Sequence, residues 1–218
     1  MTNQTSRPQT LTRMTLKDSA EELVRGALLD GSMQPGEIYS ANALARRLGV
    51  SNSPVREAMM ALAARGLLDP VRNRGFRVVR FTEQDKQEVY DLRCHIEVEA
   101  VRRVAAQRID PEDASALRDH ARQTLHLAKN ADLTTYLNAD HAFHLDIVGR
   151  LGNNRWLEFV ATLRDQARIN GAYAYLQDHA GLMQSAREHI EMAEAIADGQ
   201  PDRAAEVMLK HLEYARPT

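Results

Sequence analysis

The sequence predicts a mainly α-helical protein in two parts, an amino-terminal winged helix-turn-helix followed by an all-α six-helix bundle domain. Three observations carry that expectation. Residues 17–80 hold three short amphipathic segments and then change period to strand, turn and strand. From residue 83 onward the apolar spacing is helical and is broken only at isolated points. Charge also divides along the chain: residues 1–80 carry 12 Lys/Arg against 7 Asp/Glu, and residues 81–218 carry 16 against 23, inside a net charge of −2. A basic front part on an acidic rear part suggests a nucleic-acid-binding module carrying a second domain with another task.

At 218 residues the chain can bury one large core or two modest ones, and its 44 % hydrophobic and 27 % charged composition is that of a globular protein. Cys94 is alone, so there is no disulfide framework and a reducing compartment is expected. No apolar run approaches the roughly 18 residues of a membrane span, and residues 1–16 lack the apolar core of a signal peptide. The expectation is a cytoplasmic protein with no membrane partner, its residues 1–16 forming a flexible arm.

The first helix is expected from about Lys17 to Asp30, stopped by Gly31 and followed by a Pro35-Gly36 turn. Ser40 can cap a short helix bearing Leu44, Ala45 and Leu48, closed by Gly49. A third helix opens at Ser53-Pro54, with Val55, Met59 and Leu62 inward and Gly66 at its end. Residues 67–71 and 76–80 read as strands around the basic turn Arg72-Asn73-Arg74-Gly75. Beyond Phe81-Thr82, breaks near Asp110-Pro111, Asn130, Gly152-Asn153, Asp178 and Gly199-Gln200-Pro201 leave six helices. The expected domains are thus residues 17–81 and 82–218.

Two short helices joined by Gly49-Val50-Ser51 have helix-turn-helix spacing, and the second would lie in the major groove of double-stranded DNA. Ser51, Asn52, Ser53 and Arg56 at its start are short or forked hydrogen-bonding groups suited to bases and phosphates. Arg46, Arg47, Arg72, Arg74 and, in the turn, Gly75 complete the candidate DNA surface. The bland alternative is a solvated basic face on a small helical domain. The strings Leu29-Asp30-Gly31-Ser32-Met33-Gln34-Pro35-Gly36-Glu37, Leu44-Ala45-Arg46-Arg47-Leu48-Gly49-Val50-Ser51 and Pro54-Val55-Arg56-Glu57-Ala58-Met59 resemble the amino-terminal signature of the GntR family of bacterial transcription regulators. Gly66-Leu67-Leu68 and Arg74-Gly75-Phe76-Arg77-Val78 are similar to its wing. The resemblance implies that Arg56 meets the operator. It departs from the family pattern at Asn52, where an Arg or Lys is usual, and at Asn42, usually acidic.

In the rear part, Leu133, Leu137, Asp140, His144, Ile147 and Leu151 share one helix face, the face that packs inward. A carboxylate and an imidazole buried there cost several kcal/mol, on the order of 2–7 for a polar group, unless they are paired, hydrogen-bonded or on a metal. All eight histidines lie after residue 94. His189 falls on a second inward stripe with Leu182, Ser185, Met192 and Ile196. His211 can share a face with Ala204, Met208 and Ala215, although Leu209 and Leu212 define a rival one. One Asp and three His converging in a bundle would make a divalent-metal site. A hydrogen-bonded polar cluster is the plainer reading. Zinc, nickel and manganese all suit these ligands, zinc being slightly preferred.

Leu92-Arg93 with Glu97, Asp140 through Phe143-His144, Glu188-His189 with Ala195-Ile196, and His211-Leu212 resemble the FCD ligand-binding domain of the FadR branch of that family. Six helices look like its VanR subgroup. The resemblance implies that Asp140, His144, His189 and His211 hold the metal, and that the protein is a homodimeric, ligand-responsive regulator, a repressor on a palindromic operator. A small organic acid effector could bind the metal, with Arg93, Asn153 or Arg164 as a second anchor. Arg93 could equally form a structural ion pair with Glu97. The rival from another class is a metal-dependent hydrolase or lyase tethered to DNA. No general base lies on the stripes, so no enzyme activity is expected.

Overall fold

The computed structural model describes residues 15–217. Residues 1–14 of the expected arm lie outside the described residues, while Thr15 and Leu16 already open the first helix. α1 (Leu16–Leu29) starts at a capping box between Thr15 and Asp18, which satisfies two orphan backbone groups reciprocally. α2 (Ala41–Leu48) is capped by Ser40 and stopped by Gly49 at φ 67°, a left-handed conformation that favours glycine. α3 (Asn52–Ala64) begins one residue earlier than the Ser53-Pro54 pair suggests, with Ser51 at its N-cap.

A short strand the sequence did not announce, β1 (Ile38–Tyr39), pairs with β3 (Gly75–Val78), which also pairs with β2 (Leu68–Val71). The sheet is antiparallel, in the order β1-β3-β2. Gly75 is fixed by that third strand: at φ 131°, a Cβ would lie 2.2 Å from the Tyr39 carbonyl oxygen. Its place is explained by packing of the wing. Val24, Leu28, Val55, Met59, Leu62, Phe76 and Val78 form the core between α1, α3 and the sheet.

The rear domain consists of α4 (Glu83–Ala106), α5 (Pro111–Asn130), α6 (Leu133–Gly149), α7 (Asn154–Ile169), α8 (His179–Ala197) and α9 (Pro201–Glu213), with a 3₁₀ turn at Ala174–Gln177. Thr82, Asp110, Asp132, Asn153 and Asp178 cap α4 to α8 through their side chains. α4 packs on α9, α7 and α6, and α8 lies between α5 and α9. Val101, Leu117, Phe143, Ile147, Met192, Ile196 and Met208 fill the interior, each large side chain contributing roughly 1.5–3 kcal/mol of burial. The two largest fully buried side chains are not apolar: they are Arg93 and Arg164.

α7 also joins the two parts. Asp165 receives Arg25 of α1 at both oxygens (2.7 and 2.6 Å) and Arg65, just after α3, at 2.7 Å. Gln166 donates to the Arg65 carbonyl, Arg168 donates to the Leu29 carbonyl, and Asn170 accepts from the Phe81 N–H. The DNA-binding module is therefore seated on α7 as well as tethered at Phe81-Thr82.

Candidate metal centre and nucleic-acid interface

The α6 stripe places Asp140 and His144 one turn apart, and α8 and α9 bring His189 and His211 against them. All four are at most 3 % exposed, and their ligating atoms lie within 4.8 Å of one another. Ligands around one ion at about 2.0–2.2 Å can stand at most roughly twice that distance apart, so the cluster is within a few tenths of an ångström of a coordination shell.

The outer nitrogens explain why the inner ones face each other. His144 Nδ1 lies 2.8 Å from the Glu97 carboxylate and His211 Nδ1 lies 3.2 Å from that of Glu188. A carboxylate only accepts, so both Nδ1 atoms carry the proton. His189 Nδ1 meets Thr124 Oγ1 at 3.0 Å, and that hydroxyl donates to the Ala121 carbonyl at 2.8 Å, so Thr124 accepts. In the neutral form of the rings, the form that can bind a metal, all three Nε2 lone pairs therefore point inward. The 3.2 Å approach of the His144 and His211 Nε2 atoms and the 3.3 Å approach of His189 Nε2 to Asp140 Oδ1 then have no proton between them. Asp140 Oδ1 and His189 Nε2 accordingly stand buried without a hydrogen-bond partner. Three lone pairs and a carboxylate oxygen converging in a dry interior repel one another unless a cation lies among them. These residues fit a divalent metal.

The surrounding charges reinforce this. Burial opposes ionisation of Asp140, yet the Arg164 guanidinium beside it holds its carboxyl well below the usual range. Glu97 is likewise buried, and Arg164 and Arg93 hold it well below the usual carboxylate range. Burial, with Arg164 second, pushes His144 well below its ordinary value, and burial pushes His189 down to about 4. Neutral imidazole is the ligating form.

Of the predicted effector residues, the structure brings Arg93 and Arg164 to the centre. Arg164 bridges Glu97 and Asp140, and Arg93 donates to Glu97 at 2.7 Å, so the ion pair with Glu97 exists. Asn153 is a correction. It is exposed at the start of α7 and its side chain caps that helix at the Trp156 N–H. Glu188, one residue off the His189 stripe, turns out to be the support of His211, because α9 packs on that side of α8. Thr124 and Asp165 carried no sequence signal.

On the other domain, Arg46, Arg47, Ser51, Ser53, Arg56, Arg72 and Arg74 are exposed, and Asn52 is half-buried. Arg56 lies opposite Val55, Met59 and Leu62, which are buried. Arg72 and Arg74 flank the tip of the wing. Asn52 Nδ2 donates to Asn42 Oδ1, so the two positions where the family pattern is absent are joined by a neutral hydrogen bond between α2 and α3.

A winged helix whose second helix presents polar residues, seated on a helical domain with a buried Asp/His₃ cluster, is the architecture of a two-domain DNA-binding regulator. The bacterial regulatory proteins of the gntR family match residues 16–78, and the FCD domain matches residues 88–214. The chain belongs to the GntR family of bacterial regulators and carries an FCD domain. It is 29 % identical to the Nta operon transcriptional regulator of Aminobacter aminovorans over 182 residues, 83 % of each chain. It is 26 % identical to the HTH-type transcriptional repressor GlaR of Escherichia coli, over 87 % of this chain and 89 % of that one. Its fold is that of McbR/YncC of E. coli, with a TM-score of 0.81 at 21 % identity, covering 92 % and 95 % of the two chains. The protein is a transcriptional regulator rather than an enzyme.

Proposed function

We propose that the chain is a ligand-responsive repressor that binds a palindromic DNA operator as a homodimer and senses a small organic acid in its helical domain. Asp140, His144, His189 and His211 would hold a divalent metal, zinc slightly preferred over nickel or manganese. Residues 17–81 form the DNA-binding domain and residues 82–218 the sensing and dimerising one, and the six α-helices of the latter favour the VanR subgroup. A cytoplasmic location follows from such a role.

One observation carries the reading: Arg164 and Asp165 are adjacent on α7 and serve different domains. Arg164 holds Asp140 of the cluster and Glu97 behind His144, and Asp165 holds Arg25 and Arg65 of the DNA-binding module. A metal there would offer a Lewis-acidic anchor to a carboxylate if a coordination position is open, with Arg164 and Arg93 as second anchors. Any shift of Arg164 then moves the seat of the winged helix. A ligand changes DNA affinity by its differential affinity for the two arrangements.

The test uses an acid found by thermal-shift screening and an operator titration followed by fluorescence anisotropy. The acid should change operator affinity by about 5–150-fold, and the change should vanish in His189→Ala. An acid that binds stoichiometrically and leaves operator affinity unchanged would defeat the sensor assignment. At the DNA, Ser51, Asn52, Ser53 and Arg56 would meet the major groove, with Arg46, Arg47, Arg72, Arg74 and the Gly75 wing on the backbone or minor groove. Arg56→Ala should weaken specific binding by about 1–3 kcal/mol and relax preference at one base pair per half-site. Wild-type affinity in a folded variant would remove Arg56 from the interface.

A further inference from the structure

A second site lies apart from the metal cluster. Between the start of α4, the end of α7 and residues 214–217 is a cavity of about 290 Å³, and none of the four cluster residues lines it. Its volume is near the lower end of small-ligand pockets, roughly 300–1,000 Å³. That is room for one compact molecule and none for a long acyl chain.

The lining specifies the chemistry. Arg93 reaches the cavity from α4 and is 2 % exposed. Its Nε is committed to Glu97, and among the described residues that is its one carboxylate partner. Its guanidinium lies 5.6 Å from the centroid of the Tyr173 ring, which leaves the hydrogen-bonding edge of its terminal nitrogens for a ligand. Arg216 enters from the other side and lies over the Tyr90 ring, 5.5 Å from its centroid. Lys86 also lines the space but is paired with Glu83, the one acid there. The Tyr90 hydroxyl is buried without a well-formed hydrogen bond, although Cys94 and Arg216 are close. Phe81, Val89 and several alanines supply the remaining surface. An arginine with its terminal nitrogens open, a second arginine without a carboxylate partner among the described residues and a hydroxyl over an apolar floor match one carboxylate with a short hydrocarbon or aromatic body.

We propose that this cavity binds an amphipathic monocarboxylate, with its carboxylate on Arg93, Arg216 and the Tyr90 hydroxyl and its body against Phe81 and Val89. Binding itself is independent of the regulator reading; only its consequence rests on that reading. Phe81 and Asn170 both form the wall, and the Phe81 N–H donates to Asn170 Oδ1 at 2.9 Å. An occupant therefore bears on the residue where the wing passes into α4. Through Arg93, Glu97 and His144, it also stands two hydrogen bonds from the cluster, so metal and acid should influence one another reciprocally.

The experiment is calorimetric titration of the full chain, metal-loaded, with benzoate and hexanoate as probes and benzamide as the uncharged control. At least one carboxylate should bind one per chain, at least tenfold more tightly than benzamide. Arg216→Ala, at an exposed position that leaves the core intact, should weaken that binding at least tenfold, and Ala172→Phe should do so by filling the space. His144→Ala should weaken it less than Arg216→Ala does, because the cluster does not line the cavity and acts on it only through Glu97. No saturation by either carboxylate at about 10 mM, or equal binding of benzamide, overturns the proposal. So does loss in His144→Ala with retention in Arg216→Ala, a result that would put the acid on the metal instead. Binding that obeys the expected pattern but leaves operator affinity unchanged would uphold this site and sink the sensor reading of the acid.

Discussion

His144→Ala should yield protein that purifies without stoichiometric divalent metal and melts about 10 °C below the loaded wild type. His144 occupies the middle of the cluster, 3.2 Å from His211 Nε2 and 3.9 Å from Asp140 Oδ1. Without it only three ligating groups remain. A metal held at a thousandfold its dissociation constant stabilises the folded state by about 4 kcal/mol. At this chain length each kcal/mol is worth roughly 2–4 °C. The control is a chelator: it should lower the wild-type melting temperature by a similar amount and leave the variant unmoved, since two ways of removing one ion do not add. Elemental analysis checks occupancy. Wild-type protein, purified without chelator or affinity tag, that holds no divalent metal and takes none up on addition would identify the cluster as a polar core.

Arg164→Ala should destabilise the helical domain by about 3–5 kcal/mol, the usual cost of removing one partner from a buried ion pair. Arg164 is 1 % exposed and joins two carboxylates that are themselves at most 2 % exposed. Glu97 would keep Arg93, but Asp140 would lose its one arginine among the described residues. Arg164→Met separates charge from volume, because it refills most of the space and should recover little of the stability. Trp156, the single tryptophan, lies on α7 and reports unfolding of this domain by fluorescence in urea. A loss below about 1 kcal/mol in both variants would mean that the buried carboxylates are not held by this arginine. Added metal should offset part of the loss, since a cation among the ligands replaces the missing positive charge beside Asp140.

Most of the architecture was legible because local rules set it. The caps at Ser40, Asp110 and Asp178 and the left-handed Gly49 mark their own boundaries, and the 3.6-residue period gives each helix its inner face. That period also located Asp140, His144 and His189, since a ligand-type residue inside an apolar stripe is conspicuous. β1 was hidden because two residues have no period, and its pairing with β3 is long-range. Glu188 sat beside the inward stripe and read as peripheral, because nothing in α8 alone says that α9 covers that flank. Asn153 failed for the opposite reason: its amide already has a local task at the Trp156 N–H. Asp165 lay beyond reach altogether, since its partners are 100 and 140 residues away.

The three pinned imidazoles set a proton inventory. With each Nδ1 proton held by Glu97, Thr124 or Glu188, a neutral ring offers its Nε2 without changing tautomer, and Asp140 is already an anion. An ion entering such a site finds His144 and His189 already neutral and displaces no proton from them near neutrality, unlike capture by thiols. Burial should therefore keep the His189 ligand available until the medium turns acid, since that ring titrates toward about 4. The fold thus chooses the tautomer of each ring in advance, and an arriving ion would meet nitrogens already turned toward it.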